Sequence, residues 1–165
     1  MNYLVGSHGT GKTTLLKELL KVKSEIYVTD GFSRPVKNIK KELNLSKEQE
    51  QKVINELTKW NWINNVNNPI YYSTRSIVDA IVYTEVLFPN IDVSDLYEAF
   101  ELYNNPKLNW FYIPIEFELE DDQVRFTDQD LQKEIDKRMI EFMVKHNIVH
   151  TMLTGSVTNR VKALV

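Results

Sequence analysis

The chain has 165 residues, 42% of them hydrophobic and 26% charged, with a net charge of −3 and no cysteine. That length suits a single domain, residues 1–165, able to bury a real core, and no apolar run approaches the length of a membrane span. The lack of cysteine excludes a disulfide framework and a thiolate zinc site, while the mild acidity argues against broad nucleic-acid binding and leaves room only for a local basic cleft.

The first apolar run, Tyr3-Leu4-Val5, reads as a short buried strand that starts without a signal peptide, so a cytoplasmic protein with no membrane partner is the expectation. Directly behind it, Gly6 to Thr14 (GSHGTGKTT) fits the phosphate-binding P-loop pattern G-x-x-x-x-G-K-[ST]. Glycines at 6, 9 and 11 let the backbone curl so that successive N–H groups, with His8, Thr10 and Thr14 between or beside them, face phosphate oxygens. Lys12 adds a mobile positive charge for the β- and γ-phosphates, and the Thr13 hydroxyl is placed to bind Mg²⁺. A helix carrying Leu15, Leu16, Leu19 and Leu20 follows, with the positive end of its dipole toward the same anion.

A second strand is expected over 25–29, ending at the turn dipeptide Asp30-Gly31, and then a polar, lysine-rich connection through Phe32-Ser33-Arg34-Pro35. Ser46 with Gln49 resembles a capping box and opens a helix with Val53, Leu57 and Trp60 on one side. Ile70 to Ser73 reads as a third strand, and Ser76 with Asp79 as the start of the next helix, which stops at Pro89. A further helix spans about 92–103 with Leu96, Ala99, Phe100 and Tyr103 inward. Trp110 to Ile113 is a fourth strand, and an acidic stretch leads to a helix beginning near Thr127 and Asp130. Ile148 to Leu153 is the last strand, closed by Gly155 and a short helix. Five short apolar strands separated by helical crossovers predict an α/β fold: a five-stranded parallel sheet with helices on both faces and its ligand at the carboxyl ends of the strands.

Phosphoryl transfer needs positive charge on the transferred group and something to orient the nucleophile. Asp30, at the end of the second strand, is the candidate base for an acceptor hydroxyl, although a tight turn would use the same residue. Arg34 is a candidate for holding the acceptor, and Arg75 for reaching either the nucleotide phosphates or the acceptor. Asp79 is a candidate for holding Mg²⁺ or Arg75, with helix capping as the plainer role. Residues 116–130 look like a lid in which Arg125, alone among many acids, could neutralise charge on the transferred group. Trp60, Trp62, Tyr71 and Tyr72 could stack on a base or fill the core.

On these residues the chain resembles small P-loop kinases of the nucleoside and nucleotide kinase group, closest to the nicotinamide riboside kinase-like ATPase domains of bacteria and phages. The resemblance rests on the P-loop, on Thr29 to Pro35, on Thr74 to Asp79, on the segment from Pro114 through Arg125 to Asp130, and on Thr154-Gly155-Ser156. It implies a three-layer P-loop NTPase fold with a short lid, ATP and Mg²⁺ as cosubstrates, and a nucleoside- or nucleotide-like hydroxyl acceptor; a phage-encoded member would act in the host cytoplasm. Relatives commonly have an acid immediately before the third-strand arginine, where Thr74 stands here, so that another group, Asp30 or Asp79, would have to substitute. A variant of this reading places the acceptor within DNA, at a 5′ end or on a hydroxymethylated base. Lysines 37, 40, 41 and 47 would then contact phosphates, although a solvated lysine face explains them as well. A reading from another class is an ATP-hydrolysing switch without a dedicated acceptor. Oligomeric state is left open.

Overall fold

The computed structural model describes residues 1–116 and 128–165. Its strands are β1 (Asn2–Val5), β2 (Tyr27–Thr29), β3 (Tyr71–Ser73), β4 (Asn109–Tyr112) and β5 (His150–Met152). They form one sheet in the order β2-β3-β1-β4-β5, with every pairing parallel. The described helices are α1 (Lys12–Val22), α2 (Ser33–Leu43), α3 (Lys47–Asn65), α4 (Ile77–Leu87), α5 (Ser94–Tyr103), α6 (Gln129–Lys145) and α7 (Val157–Lys162). The expected α/β fold with a five-stranded parallel sheet is therefore what forms. None of the described helices is long and apolar enough to cross a membrane.

Strand alternation divides the core in two. Tyr3 and Val5 of β1 face one side, where they meet Trp62, Ile77, Ile81, Phe100, Trp110, Ile135 and Met139. The Tyr3 ring stacks 4.8 Å from Trp62 and 5.0 Å from Trp110, so three aromatics tie β1, β4 and α3 together. Leu4 faces the other side, against Leu15, Leu16, Leu19, Ile113 and Leu153 beneath α1 and α7. Each such side chain contributes roughly 1.5–3 kcal/mol by leaving water. A strand buried on both faces favours an apolar run such as Tyr3-Leu4-Val5, and the buried Asn2 is tolerated because it donates to the Pro69 and Tyr71 carbonyls.

Two elements differ from the sequence expectation. The lysine-rich stretch after Arg34 is not a connection but the helix α2, with Pro35 in its first turn, where a missing N–H costs nothing. On α3, Leu57 and Trp60 are exposed, Trp60 by 63%, and the buried residues are instead Glu50, Asn55, Thr58, Asn61 and Trp62. Polar residues can occupy that face because they bond one another: Asn55 donates to the Thr84 hydroxyl of α4 at 2.9 Å, and Gln51 donates to both Asn55 and Thr84. Tyr103, expected inward on α5, is exposed at the helix end. The capping boxes at Ser46–Gln49 and Ser76–Asp79 both form.

Candidate functional site

The P-loop runs from the carboxyl end of β1 into α1. Gly6 has φ +145°, and a Cβ there would lie 2.4 Å from the Ile113 carbonyl oxygen, so only glycine lets the loop leave the sheet beside β4. Gly11, at φ +87°, is the N-cap of α1. The Lys12 ammonium donates to the carbonyls of Gly6 at 2.7 Å and Ser7 at 2.5 Å, and to Thr10 Oγ1 at 3.3 Å. Thr10 also donates to the Ser7 carbonyl. Thr14 lies exposed on the first turn of α1.

His8 is bolted into place from two sides. Its Nδ1 lies 3.2 Å from the Tyr83 hydroxyl of α4, and its carbonyl accepts from Gln132 of α6 at 2.8 Å. The position is 3% exposed, so its side chain is a structural link rather than a tolerant point of the loop.

Asp30 follows β2 and sits against the P-loop. Its Oδ1 accepts from the Thr13 hydroxyl at 2.5 Å and from the Thr74 hydroxyl at 2.8 Å, while Oδ2 accepts from Arg34 at 3.1 Å. Thr74, at the place where relatives commonly have an acid, thus acts by orienting Asp30. Gly31, at φ +76°, passes so close to Arg75 that a Cβ would lie 2.4 Å from its Cγ.

Arg75 donates to Asp79 Oδ1 at 3.1 Å, and its guanidinium lies 5.0 Å from the centre of the Tyr83 ring. Burial works against its charge, but Tyr83 and Asp79 outweigh that and raise its pKa, so Arg75 is a fixed cation. Burial likewise raises the Tyr83 hydroxyl, against the opposing pull of Arg75. Asp79 Oδ2 accepts from the Ser76 amide and hydroxyl, each at 2.8 Å. Both oxygens of Asp79 are thereby engaged in holding Arg75 and capping α4, which favours its capping role over the metal role.

These groups line one cavity of about 370 Å³, bounded by His8 to Thr13, Asp30, Arg34, Thr74, Arg75 and Asp79. Phe32, Gln51, Ile54, Tyr83, Leu87 and Phe88 line it as well. Of the aromatics that could stack on a base or fill the core, Trp62, 1% exposed, and Tyr72 are core, Trp60 points to solvent, and Tyr71 is half-buried and donates to Asn61 at 2.7 Å; none of the four lines the cavity. Arg125 and most of the expected lid lie outside the described residues. The ends of that segment are anchored: Glu116 accepts from the Gly155 amide at 2.9 Å, and Asp128 caps α6.

Three residues at the site had no place in the sequence reading. Arg160 of α7, 2% exposed, donates to the Thr10 carbonyl at 3.0 Å and to Glu116 at 2.7 Å. It ties the P-loop to Glu116 in the segment after β4 and, through Glu116, to the loop after β5. Gln132 and Asp136 lie one turn apart on α6. Asp136 Oδ2 accepts from Tyr112 at 2.7 Å, and the carboxyl faces Ser7 and Lys12 of the P-loop. Burial raises its pKa, against the lowering effect of those neighbours. The only sequence signal was a polar pair at i, i+4 beside the apolar positions 135 and 139.

A family model described as an AAA domain (AAA_28) matches residues 2–160. No curated protein matches the sequence. Among solved structures, a deoxyadenosine kinase from M. mycoides with the products dCMP and dCDP bound has a TM-score of 0.67 at 14% identity, covering 99% of this chain and 95% of that one. A thymidylate kinase from Ehrlichia chaffeensis has a TM-score of 0.62 at 14% identity, covering 99% and 94%. A NadR protein in complex with NR has a TM-score of 0.72 at 17% identity, covering 99% of this chain and 49% of NadR, so the chain spans about half of NadR's length. At such identities the likeness shows the fold, which is that of small P-loop kinases.

Proposed function

The chain belongs to the AAA domain family, and from that premise we propose that it is an ATP-dependent phosphotransferase acting on a hydroxyl of a nucleoside- or nucleotide-like acceptor. One observation carries this reading: a P-loop, a carboxylate and a fixed arginine converge on a single cavity. That kinases of deoxyadenosine and of thymidylate share its fold supports the acceptor class.

The P-loop amides hold the ATP phosphates, and Lys12 exchanges the carbonyls of its own loop for the more strongly bound β- and γ-phosphate oxygens. Asp30 takes the proton of the acceptor hydroxyl as that oxygen attacks the γ-phosphorus and ADP leaves. Arg75, fixed by Asp79 and Tyr83, faces the charge that develops on the transferred group. The oxygen donors Thr13 and Asp30 suit a hard cation that takes one or two carboxylates together with phosphate oxygens. Mg²⁺ bound with ATP supplies neutralisation of the phosphate charge. Phe32, Tyr83 and Phe88 offer an apolar wall for a base, and Gln51, held by Asn55 and Thr84, is a rigid polar group on that wall. Arg125 belongs to the same proposal as a lid cation.

The test is ADP release against a panel of nucleosides, nucleotides and oligonucleotides. Lys12→Ala is expected to abolish turnover, and Asp30→Asn to lower acceptor-dependent turnover by about 100-fold or more while ATP still binds. Turnover that no panel member stimulates would instead make the protein a slow ATP-hydrolysing switch.

A further inference from the structure

α2 changes what the lysine-rich stretch does. Arg34, Lys37 and Lys40 recur at three-residue intervals along it, so one helical face carries all three, and all three line the cavity. Lys47, the first residue of α3, lines it as well. These are not arms on a convex surface. Lys40, for example, is held at 2.7 Å by Glu50, a carboxylate only 7% exposed in the cavity wall.

Charge separates this region from the chain as a whole. Among the described residues the cavity wall carries six cations, Lys12, Arg34, Lys37, Lys40, Lys47 and Arg75, against three carboxylates, Asp30, Glu50 and Asp79. Six less three is +3, in a chain whose net charge is −3. Lys12 and Arg75 belong to the P-loop and to the end of β3, beside the transferred phosphate. The other four lie on α2 and α3, the two helices that follow β2, with Arg34 nearest the P-loop through its bond to Asp30. A cleft of one sign with low-dielectric walls concentrates ligands of the opposite sign, and it does so here within a protein that otherwise repels them.

We propose that the acceptor is bound as an anion: it already carries a phosphate ester, distinct from the group being transferred, and that phosphate lies against the Arg34–Lys37–Lys40 face of α2 and Lys47 of α3. The proposal rests on the phosphotransferase reading for the word acceptor, but not for the binding itself. The phosphate ester has two sources, a free nucleotide or the backbone of a nucleic-acid strand. Both present the same chemistry to these cations.

The experiment is calorimetric binding with the donor side filled by a saturating non-hydrolysable ATP analogue. The probes are the four deoxynucleosides, their 3′- and 5′-monophosphates, and oligonucleotides of two to six residues with a 5′-hydroxyl. The phosphate-bearing probe is expected to bind at least about tenfold tighter than its nucleoside at low salt. In a Lys37→Gln/Lys47→Gln double variant that advantage should shrink to about twofold, whereas Lys17→Gln, an exposed substitution on α1, should preserve it. Affinity that grows with strand length and falls steeply with salt assigns the phosphate to a strand; a mononucleotide that longer probes do not surpass assigns it to a free nucleotide. Equal binding of nucleosides and phosphate esters, a preference indifferent to the double substitution, or no binding by any phosphate ester would overturn the proposal. Tight binding of phosphate esters without transfer to any of them would leave it standing and overturn the kinase reading instead.

Discussion

Asp136 shows how much one side chain behind the P-loop can contribute. Burial raises its pKa above the ordinary aspartate value near 3.9, although Tyr112, Ser7 and Lys12 favour its charge. A carboxyl whose folded-state pKa is raised holds its proton more tightly in the native state. Its contribution to stability is therefore present below the unfolded value and lost as pH rises through the folded one. Asp136→Asn removes this titration. The stability of the variant relative to the parent should consequently improve as pH rises from about 4 to about 8, as measured by urea unfolding at both ends. Parallel losses in the two proteins would show that Asp136 does not titrate as described. Among the site residues, those of the P-loop were readable because their geometry is local: nine successive residues, with glycine wherever φ is positive. Asp136, Gln132 and Arg160 were not, because each reaches the loop from a helix more than a hundred residues away in sequence.

Capping chemistry was legible at the level of elements, and it separates a cap that only starts its helix from one whose carboxylate also holds a site residue. Ser46 caps α3 with Gln49, at the helix start that carries the cavity-lining Lys47, Glu50 and Gln51, but it bonds none of the groups that hold Arg75. Ser76 caps α4 with Asp79, and the other oxygen of Asp79 holds Arg75. Replacing either serine by alanine should cost about 1 kcal/mol of stability. Ser76→Ala should also raise the acceptor KM several-fold, since it loosens the carboxylate that positions Arg75; steady-state kinetics beside denaturation curves would reveal a variant that loses stability alone. The missed helix teaches the opposite lesson. α2 does carry apolar residues at helical spacing, Val36, Ile39 and Leu43, but the run is short and set among lysines, and Val36 is buried while Ile39 and Leu43 are exposed. Lysine, glutamate and leucine are also good helix formers, so spacing and propensity agreed on a helix that the polar composition of the stretch disguised. On α3 the apolar stripe misled for a related reason: the buried face is polar and held by hydrogen bonds with α4, which only the pairing of the two helices reveals.

Across the whole molecule, Arg160 is the residue that joins the parts. It bridges the P-loop and Glu116, and Glu116 in turn holds the loop after β5. Arg160→Met should therefore destabilise the protein by about 2–3 kcal/mol, somewhat less than the loss of a fully buried partner, because the Glu116 side chain is 25% exposed. Stability read by urea unfolding would test it, and a cost near zero would mean that the bridge is dispensable. The fold class was legible because β1, β3 and β4 are apolar runs with helix-length separations. The strand order was left open, since no local pattern tells which parallel neighbours a strand will choose.

That order carries a consequence for how the molecule comes to exist. β1 is the central strand, yet Asn2 pairs with Tyr72 and Asn109, which lie 70 and 107 positions later. Closing such long loops costs entropy before any contact repays it, so the middle of the sheet is a late event in folding. A newly made chain must expose Tyr3, Leu4 and Val5 until β4 has been synthesised, leaving the phosphate loop without a frame. On the proposed function, in which ATP is bound by the finished loop, ATP should thus slow unfolding while leaving the refolding rate nearly unchanged. Stopped-flow refolding with and without ATP distinguishes this from early assembly of the loop, in which case ATP would speed folding as well.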